Sequence, residues 1–489
     1  MQTSKTENTY KNKAFYITTT LPYVNSDPHV GFATEIVRAD AIARYKKMTG
    51  YDVFFNTGTD EHGQKLLNDA KAAGKDVQLY VDEYAAKFKG LKDLLGIMDE
   101  VHFIRTTDKH HVKAAQAFWD MCDKAGYIYK KMYQRKYCVG CELEKNDSEL
   151  VDGRCPIHPN RELEIIEEEN YFFKWSAFGQ RLLDLYEQNP KLVVPDFRFN
   201  EIKAFVKNGL EDFSISRQKS KMSWGVEVPG DPNHVMYVWF DALVNYISTL
   251  GWPEDQENFN KFWTNGTPVQ YCGKDNLRQQ SAMWQAMLMA AGIAPTHTIV
   301  IDGFLTGEGG IKMSKSLGNG VNPYDIVDQY GKDALRYFVI RELHPFEDSP
   351  FTVERFKEAY NASLANGIGN LTSRIMKMAE TNLDQAVQVP EKSVSEEYFA
   401  FFESFELNKA ANYVWEKIQE LDEIIQREAP FKLVKTDPEA GKAIIRDLVL
   451  KLYLIAKMLE PLLPETSDKI KSAVKANKMP ESPLFLRKD

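Results

Sequence analysis

The first hundred residues alternate between two hydrophobic periodicities. The segment AFYITTT, residues 14–20, is aromatic and β-branched, which predicts a buried strand. Apolar residues then recur at helical spacing over 33–41, and Gly50 suits the end of that helix. The order of strand and loop then recurs. In YDVFFNTGTDEHG, residues 51–63, a second predicted strand ends in a polar, glycine-bearing loop. This alternation predicts a doubly wound α/β domain, whose ligands bind at the carboxyl ends of the strands.

The C-terminal quarter has a different pattern. From about residue 366 the apolar positions follow helical spacing only, as in NKAANYVWEKIQELDEIIQREAP, and no strand-like run of comparable strength occurs. This region predicts a separate helical bundle. The polar segment LDQAVQVPEKSVSEE near residue 390 predicts an exposed connection.

Composition narrows the class of protein. A chain of 489 residues with 43% hydrophobic residues can build several packed cores. The net charge of −9 excludes a uniformly basic coat, although a local basic face for nucleic acid is compatible with it. No signal-peptide pattern begins the sequence and no stretch of about 18 apolar residues follows, so we expect a cytoplasmic protein without membrane contact.

The cysteines favour a metal over disulfides. Five cysteines are too few for a disulfide framework, and three of them lie between residues 138 and 155. Cys138-x-x-Cys141 followed by Cys155-x-x-His158 offers four ligands on two tight turns, which predicts a closed, structural zinc site. The alternative is two unrelated turns that carry cysteines by chance.

Two separated motifs suit a bound phosphate. In DPHVGFATE, His29 could donate to phosphate oxygens at a helix start and Gly31 would let the ligand approach closely, although a histidine beside a loop glycine is more often structural. In FLTGEGGIKMSKSLGNGVNP, glycines flank Lys312 and Lys315. Lysines on a mobile loop can stabilise charge that grows on a phosphate, whereas the simpler interpretation is a solvated loop.

The HVGF and KMSKS pair resembles the two signature motifs of class I aminoacyl-tRNA synthetases. Within that class the chain is similar to the methionyl-tRNA synthetases. The matching text lies in the family's order along almost the whole chain: TTTLPYVNSDPHVG, FNTGTDEHGQK, YCVGCELEKNDSELVDGRCPIHP, ENYFFKWS, DFSISR, YVWFDAL, GKDN, KMSKSLGN and DALRYFVIRE.

The resemblance implies a fold and an activity. The implied architecture is a Rossmann-type catalytic domain with a zinc-knuckle insertion, followed by an all-α anticodon-binding bundle. The expected boundaries are 1–117 and 226–320 for the two catalytic halves, 118–225 for the insertion, 321–365 for a stem-contact region and 366–489 for the bundle. The implied reaction activates L-methionine with Mg-ATP to an adenylate and transfers the acyl group to tRNA(Met). We also expect a monomer, because the chain ends shortly after the bundle.

The resemblance also implies site residues. The expected catalytic set is His29, Arg217, Lys274 and Lys315. The expected ATP contacts are His29, Gly31, Asp275, Lys312 and Lys315. The expected methionine contacts are Leu21, Tyr23, Asp60, Trp239, Ala242, Tyr246 and Gln280. Asp60 would hold the ammonium group, and the aromatic residues would surround the thioether, although ordinary aromatic core is the simpler reading of VMYVWFDALVNYI.

Several positions depart from the family pattern. Phe32 replaces the usual second histidine, and we expect slower adenylate formation because one polar contact to ATP is lost. The alternative is a catalytically weakened, tRNA-binding paralogue. Leu243, Asn276 and Gln280 replace a common proline, aliphatic residue and histidine in the pocket, which weakens the case for an identical pocket more than the case for methionine. Residues 118–225 are too few for the editing insertion that the leucine, isoleucine and valine enzymes carry.

The bundle is less informative about tRNA. Asp422 stands where an asparagine is expected, and Phe431 replaces a frequent tryptophan. Phe485 could stack on a base or belong to the core. Lysines 471, 475 and 478 lie at helical spacing and could contact phosphates or form an ordinary solvated face.

Overall fold

The computed structural model describes residues 13–138, 143–145, 150–156, 159–160, 162–310, 320–389 and 394–489. The strands are β1 Ala14–Thr19, β2 Asp52–Thr59, β3 His102–Arg105, β4 Ile128–Cys138, β5 Leu143–Lys145, β6 Glu164–Phe173, β7 Val193–Val194, β8 Phe213–Ser214, β9 Ser216–Gln218, β10 Glu227–Val228, β11 Asp231–Met236, β12 Thr267–Gly273, β13 Thr298–Asp302, β14 Leu305–Thr306 and β15 Ser349–Pro350.

The helices divide between the two regions that the hydrophobic periodicity separates. Within the described ranges, thirteen α-helices precede residue 360: α1 Val30–Met48, α2 Gln64–Ala72, α3 Val77–Leu95, α4 Lys109–Lys124, α5 Gly179–Gln188, α6 Asp196–Lys207, α7 Val238–Leu243, α8 Asn245–Ser248, α9 Gln256–Phe259, α10 Trp284–Ala290, α11 Pro323–Tyr330, α12 Lys332–Tyr337 and α13 Val353–Ala359. Six α-helices of the described residues follow: α14 Asn370–Asn382, α15 Glu396–Glu403, α16 Leu407–Glu428, α17 Pro430–Thr436, α18 Pro438–Leu459 and α19 Pro464–Ala476.

The central element is a six-stranded parallel sheet with the order β3-β2-β1-β12-β13-β7. The chain moves outward from β1 to β3 on one side and later from β12 to β13 on the other. The direction of winding therefore reverses between β1 and β12, and the carboxyl ends of these two strands form the place where such sheets bind ligands.

The sheet separates two hydrophobic cores. Phe15 and Ile17 of β1 face one core, whereas Ala14 and Tyr16 face the other, as the two-residue period of a strand requires. The first core includes α1 and extends into the C-terminal helices, and the second includes α4 and α10. A strand buried on both faces explains why AFYITTT has a continuous rather than an alternating apolar pattern.

The predicted insertion is only partly separate from this domain. Its β4, β5, β6 and β8 form an antiparallel sheet of their own. In contrast, β7 pairs with β13 and completes the main sheet, and Leu182 of α5 and Ile202 of α6 are fully buried in the second core. Residues of the 118–225 segment thus help to build the main sheet and the second core.

A buried arginine joins the sheet domain to the bundle. The Arg336 guanidinium, which is fully buried, pairs with Asp40 of α1 at 2.7 Å. Its Nε donates to the carbonyl of Leu462 at 2.8 Å, and its Nη2 donates to that of Pro461 at 3.2 Å, both in the turn between α18 and α19. Asp333 accepts a hydrogen bond from the backbone N–H of Thr466 at 2.6 Å. Side chains on one face of α12 therefore hold the helical bundle against α1.

The C-terminal segment packs against the bundle. Phe485 is 9% exposed and lies edge-on to Tyr360, with ring centroids 6.0 Å apart. Tyr360 donates to the carbonyl of Leu486 at 2.8 Å. Phe485 is therefore a core residue, and the idea that it stacks on a base is wrong. Within the described ranges, no helix is both long and apolar enough to span a bilayer.

Candidate active site

A cavity of about 770 Å³ opens at the carboxyl ends of β1 and β2. Its wall comes from the loops after these strands, from α2, α7 and α8, and from the turn after β12. The lining residues are Thr20, Leu21, Tyr23, Asp60, Gly63, Gln64, Lys65, Asn68, Glu168, Arg217, Lys221, Met222, Tyr237, Val238, Trp239, Ala242, Leu243, Asn245, Tyr246, Asn276, Gln279 and Gln280. All seven expected methionine contacts and Arg217 lie on this one wall.

The loops after β1 and β2 hold Asp60 in the cavity. The Asp60 N–H donates to the carbonyl of Pro22 at 3.0 Å, and the N–H of Val24 donates to the carbonyl of Asp60 at 3.2 Å. The Oδ1 atom of Asp60 is buried and has no hydrogen-bond partner among the described residues. Burial, and then the nearby Asp241 carboxylate, raises the pKa of Asp60 well above its usual value. A cationic ligand would satisfy this carboxylate.

The neighbouring carboxylates already have partners. Glu61 is held by Arg105 through bonds of 2.7 and 2.8 Å, and Asp241 is 2.7 Å from the Nδ1 of His62. Both acidic side chains are fully buried. Asp60 is therefore the acidic group of this loop that is best placed to receive a ligand's positive charge.

Aromatic rings form one part of the wall. Gly63 has φ +128°, and a Cβ there would lie 2.5 Å from the Tyr23 hydroxyl, so the glycine allows Tyr23 to cover the loop. Trp239 is 42% exposed at the cavity surface, and its ring lies 5.5 Å from that of Tyr237. Arg217 stacks over the Tyr237 ring at 4.2 Å. This part of the wall thus combines a flat apolar surface with the stacked Arg217 guanidinium.

His29 caps the helix that follows β1. It is the N-cap of α1, and its Nδ1 accepts a hydrogen bond from the N–H of Gly31 at 3.0 Å. Because Nδ1 accepts, the neutral ring carries its proton on Nε2, the nitrogen that would donate to a phosphate oxygen. A Cβ on Gly31 would lie 2.7 Å from the His29 ring, so glycine is required for this geometry.

Phe32 supports the His29 ring. The two ring centroids are 4.3 Å apart with an interplanar angle of 34°. On its other side Phe32 meets Phe88 of α3 edge-on at 5.5 Å. Phe32 therefore packs between His29 and α3 and restrains the orientation of the neighbouring imidazole.

Described residues on both sides of the KMSKS segment contact α1. Lys312 and Lys315 lie outside the described residues. Directly beyond the segment, the carbonyl of Val321 accepts a hydrogen bond from the N–H of Val30 at 3.0 Å. Before it, Asp302 at the end of β13 pairs with Arg38 of α1, and both side chains are buried. The chain therefore brings the HVGF and KMSKS regions together although nearly 300 residues separate them.

Lys274 is held by a residue that the motifs did not indicate. Its Nζ donates to both carboxylate oxygens of Asp348, at 2.7 and 2.6 Å, and lies 4.3 Å above the Phe304 ring. The Phe304 N–H also donates to Asp348 at 3.0 Å. Asp275, the expected ATP contact, follows in the same turn after β12. Asp348 thus fixes the expected catalytic lysine to the connection between β13 and β14, which precedes the KMSKS loop.

Glu35 was also missed by sequence reasoning. It lies on the buried face of α1, and its Oε1 accepts from the N–H of Thr20 at 2.6 Å and from the Thr20 hydroxyl at 2.5 Å. It therefore holds the cavity-lining loop after β1. An acidic residue between apolar positions of a predicted helix was the available signal. Burial raises the pKa of Glu35 to about 8.

The raised pKa of Glu35 makes stability depend on pH. The folded state keeps the proton that the unfolded chain releases, so the free energy of unfolding falls as pH rises from about 4.5 to about 8. Glu35→Gln keeps the acceptor oxygen and cannot ionise. We expect the variant to be more stable than the parent by about 4 kcal/mol at pH 8.5, and by about 1 kcal/mol or less at pH 5.

Thermal unfolding at several pH values tests this expectation, and the exposed Glu187→Gln is the matched control. The same difference between Glu35→Gln and the parent at pH 5 and pH 8.5 would contradict it.

Only half of the predicted zinc ligands can be placed. Cys138 at the end of β4 is 1% exposed and Cys155 is fully buried. Cys155 follows a two-residue turn in which Asp152 and Gly153 both have positive φ, the geometry typical of a tight hairpin. Cys141 and His158 lie outside the described residues. Among the described residues, no three acidic, cysteine or histidine side chains are grouped as a metal site.

Comparisons with known proteins agree with this arrangement. A family described as tRNA synthetases class I (M) matches residues 15–164 and 145–376. A second family, the anticodon binding domain of methionyl tRNA ligase, matches residues 376–483.

Individual relatives cover nearly the whole chain. A methionine–tRNA ligase of Thermotoga maritima is 40% identical over 93% of this chain and 74% of the relative, and one of Rickettsia felis is 38% identical over 96% and 93%. A structure of Mycobacterium tuberculosis methionyl-tRNA synthetase in complex with methionyl-adenylate superposes with a TM-score of 0.85, at 37% identity over 94% of this chain and 93% of that one. The chain therefore belongs to the methionyl-tRNA synthetases, within class I of the aminoacyl-tRNA synthetases.

Proposed function

We propose that the cavity binds L-methionine and that the chain activates it with ATP and transfers it to tRNA(Met). The amino-acid carboxylate attacks the α-phosphate of ATP, pyrophosphate leaves, and a terminal ribose hydroxyl of the tRNA then takes the acyl group from the adenylate. The observation that carries the assignment of the cavity is the buried Asp60 oxygen beside aromatic walls, which suits an ammonium group attached to a thioether side chain.

Positioning and charge stabilisation supply the catalysis. In this proposal His29 donates to the ATP phosphates, Arg217 and Lys274 assist, and Lys312 and Lys315 stabilise the leaving pyrophosphate. Mg²⁺ accompanies ATP and neutralises phosphate charge. His29 and Asp275 follow β1 and β12, respectively. The carboxyl ends of these two strands lie beside the cavity. The ATP phosphates and the amino acid would therefore meet above the place between β1 and β12 where the winding of the sheet reverses.

Amino-acid-dependent ATP–pyrophosphate exchange tests the activity. We expect exchange with methionine and no comparable exchange with the other nineteen protein amino acids, followed by charging of tRNA(Met). Nothing among the described residues favours the alternative of a weakened, tRNA-binding paralogue. Binding of tRNA without exchange, in the presence of Mg²⁺ and Zn²⁺, would establish that alternative.

The His29 geometry gives a separate prediction. Gly31→Ala places a methyl group where the His29 ring lies, so the ring must move. Its Nε2 then no longer points toward the expected phosphate oxygen. We expect the KM for ATP to rise about tenfold or more while the KM for methionine stays within twofold, because loss of one donor to a charged oxygen typically costs at least that factor.

Steady-state exchange at varied ATP measures this effect. Gly179→Ala is the control, since Gly179 has φ −51° and open space around its Cβ position. An unchanged KM for ATP in Gly31→Ala would contradict the role of His29.

We also propose a structural zinc ion held by Cys138, Cys141, Cys155 and His158. The two describable ligands support it, because both thiols are buried, Cys138 at the end of β4 and Cys155 just after a tight turn, in a small antiparallel unit with little core of its own. Zinc content by mass spectrometry should be one ion per chain in the parent. We expect Cys155→Ser to bind much less zinc and to expose the insertion to proteolysis, whereas Cys122→Ser, on a helix in the main core, should keep its zinc.

A groove on the bundle is our candidate for anticodon binding. It has a volume of about 490 Å³, and its lining combines amide, guanidinium and indole groups with two carboxylates and several small or apolar residues: Arg341, Ala362, Ser363, Asn366, Gly367, Asn370, Leu371, Arg374, Asn412, Trp415, Glu416, Ile418, Gln419 and Asp422. Asp422 forms an ion pair with Arg374 across this groove, and Phe431 is 47% exposed on α17. Lys471 pairs with Glu460 and Asp468, which favours the solvated-face interpretation for that lysine.

A further inference from the structure

The cavity continues beyond the expected methionine contacts into a part with a different lining. We call this part the polar end, and its residues come from α2, from β6, and from β9 with the turn after it: Gln64, Lys65, Asn68, Glu168, Arg217 and Lys221. Cavities that bury a whole drug-sized ligand have volumes of about 300 to 1,000 Å³. The cavity of about 770 Å³ therefore has room for methionine and for part of a second ligand.

The turn that carries Lys221 lies on the β2 side of the cavity. The Trp224 Nε1 donates to the carbonyl of Glu61 at 2.6 Å, and the N–H of Gly63 donates to the carbonyl of Trp224 at 3.3 Å. These bonds hold the segment after β9 against the loop between β2 and α2. The expected ATP contact Asp275 follows β12 instead, and β1 lies between β2 and β12 in the sheet. A ligand beside α2 would therefore leave the expected phosphate site unobstructed.

A buried carboxylate lines the polar end. Glu168 of β6 is 1% exposed. Lys221 forms an ion pair with its Oε1, and the Nδ2 of Asn170 donates to its Oε2 at 3.3 Å. A carboxylate accepts hydrogen bonds at up to about four positions. Glu168 can therefore keep its pair with Lys221 and also accept a hydrogen bond from a hydroxyl group in the cavity.

Basic side chains outnumber acidic ones at the polar end. Lys65, Arg217 and Lys221 are basic, and Glu168 is the one acidic member. Arg217 is held in place by its stacking on the Tyr237 ring at 4.2 Å. The chain as a whole has a net charge of −9, so this local positive excess is opposite in sign to the protein. It favours an anionic ligand.

A carboxylate paired with basic groups matches the chemistry of a nucleotide. Carboxylates accept hydrogen bonds from ribose hydroxyls in nucleotide sites, whereas Arg and Lys bind phosphate. The phosphates of ATP are expected beside His29 and the turn after β12. The other nucleotide of the reaction is the terminal one of the tRNA, whose ribose hydroxyl must reach the acyl group in the same cavity.

We infer that the polar end binds the terminal nucleotide of the tRNA acceptor end, with Lys221 contacting its phosphate and Glu168 accepting a hydrogen bond from its ribose. This inference rests on the proposed function. Neither residue belongs to the expected catalytic, ATP or methionine sets. The two side chains should therefore serve the transfer of methionine to tRNA and leave its activation unchanged.

The first test separates the two half-reactions. Lys221→Gln keeps a donor for Glu168 and removes the positive charge. Transfer from preformed, enzyme-bound methionyl-adenylate to subsaturating tRNA(Met) is measured in a single turnover. A hydrogen bond to a charged group corresponds to about 10- to 100-fold, so we expect transfer to slow by that factor. The kcat/KM values for methionine and ATP in pyrophosphate exchange should stay within twofold of the parent.

Two further variants test the assigned contacts. Lys221→Arg keeps the charge and should retain most of the transfer rate. Glu168→Gln keeps an acceptor oxygen without the charge, and we expect transfer to slow by a smaller factor, about three- to tenfold. The control is Lys219→Gln in the same turn, whose lysine pairs with Glu227 and has a side chain 40% exposed. It should leave both half-reactions unchanged.

Binding of a shortened tRNA gives a second measurement. The parent should bind intact tRNA(Met) more tightly than tRNA(Met) that lacks its terminal nucleotide. Lys221→Gln should reduce this difference while its Kd for the shortened tRNA equals that of the parent, because the rest of the tRNA still binds. A merely structural role of the ion pair would not depend on the terminal nucleotide.

Three results would overturn the inference. They are an unchanged transfer rate in Lys221→Gln, an equal fall in exchange and transfer, and a raised KM for ATP, which would assign the polar end to ATP. A parent chain that shows no methionine-dependent exchange would instead show that the proposed function is wrong.

Discussion

Asp60→Asn is expected to lower kcat/KM for methionine in ATP–pyrophosphate exchange by about 100-fold or more. The variant keeps the size of the side chain and removes the charge that would pair with the substrate ammonium. Loss of one partner from a buried, hydrogen-bonded charge pair typically costs about 2 to 5 kcal/mol, and each 1.4 kcal/mol is a factor of ten. The effect should fall on the KM for methionine, with the KM for ATP little changed.

The same carboxylate should govern the pH dependence of methionine binding. Burial and Asp241 raise the pKa of Asp60, so the empty site favours the protonated acid more than an exposed aspartate does. Methionine binding requires the ionised form, and kcat/KM for methionine should therefore fall as the solution is acidified. Asp60→Asn should lose this dependence.

The control for Asp60 is Asp99→Asn, which removes a carboxylate whose side chain is 96% exposed. It should leave both KM values unchanged. If Asp60→Asn retained methionine exchange within threefold of the parent, the ammonium would have to be bound by another group, and Asp241 would be the next candidate because its Oδ1 is also buried without a partner among the described residues.

Arg336→Met is expected to produce the largest loss of stability. The substitution leaves the carbonyls of Pro461 and Leu462 without their guanidinium donor and removes one partner from buried Asp40. Breaking a buried ion pair by removal of one member typically costs about 3 to 5 kcal/mol. Asp40 keeps Arg44 as a second partner at 2.7 Å, so we expect a loss of stability near the lower end of this range.

Chemical unfolding followed by hydrogen exchange would locate the effect of Arg336→Met. We expect lost protection in the turn between α18 and α19 and at α12, and transfer of methionine to tRNA should fall more than pyrophosphate exchange does. Arg336→Lys keeps the charge without the planar fork and should be intermediate. Arg427→Met, at a side chain 68% exposed, is the surface control. Equal stability of Arg336→Met and Arg427→Met would contradict the role of this junction.

Patterns within a short stretch of sequence predicted the local elements well. The strand at β1 and the helix at α1 follow from apolar spacing, and Gly50 ends the helix with φ +89°, which glycine adopts without strain. The helical C-terminal region was also predicted correctly, because amphipathic spacing over 22 residues, as in α16, is a strong signal. The family resemblance then indicated the residues that the fold gathers around one cavity.

Pairings between distant residues could not be predicted in this way. The ion pair between Lys274 and Asp348 and the junction at Arg336 both join residues that no local period relates. The participation of β7 in the main sheet was also hidden, because two residues carry no periodicity. Side-chain networks of this kind depend on the packing of whole layers, which becomes apparent only when the layers are assembled.

The strand order of the main sheet has a consequence for synthesis of the chain. β1 finds β2 soon after it is made, but its other neighbour, β12, begins roughly 250 residues later. At about 5 to 20 residues per second, a ribosome needs about 12 to 50 seconds to cover that distance. During this time the apolar central strand has one open edge, the kind of surface that pairs with other chains. We therefore expect chaperone dependence in vivo to centre on nascent chains that end before β12.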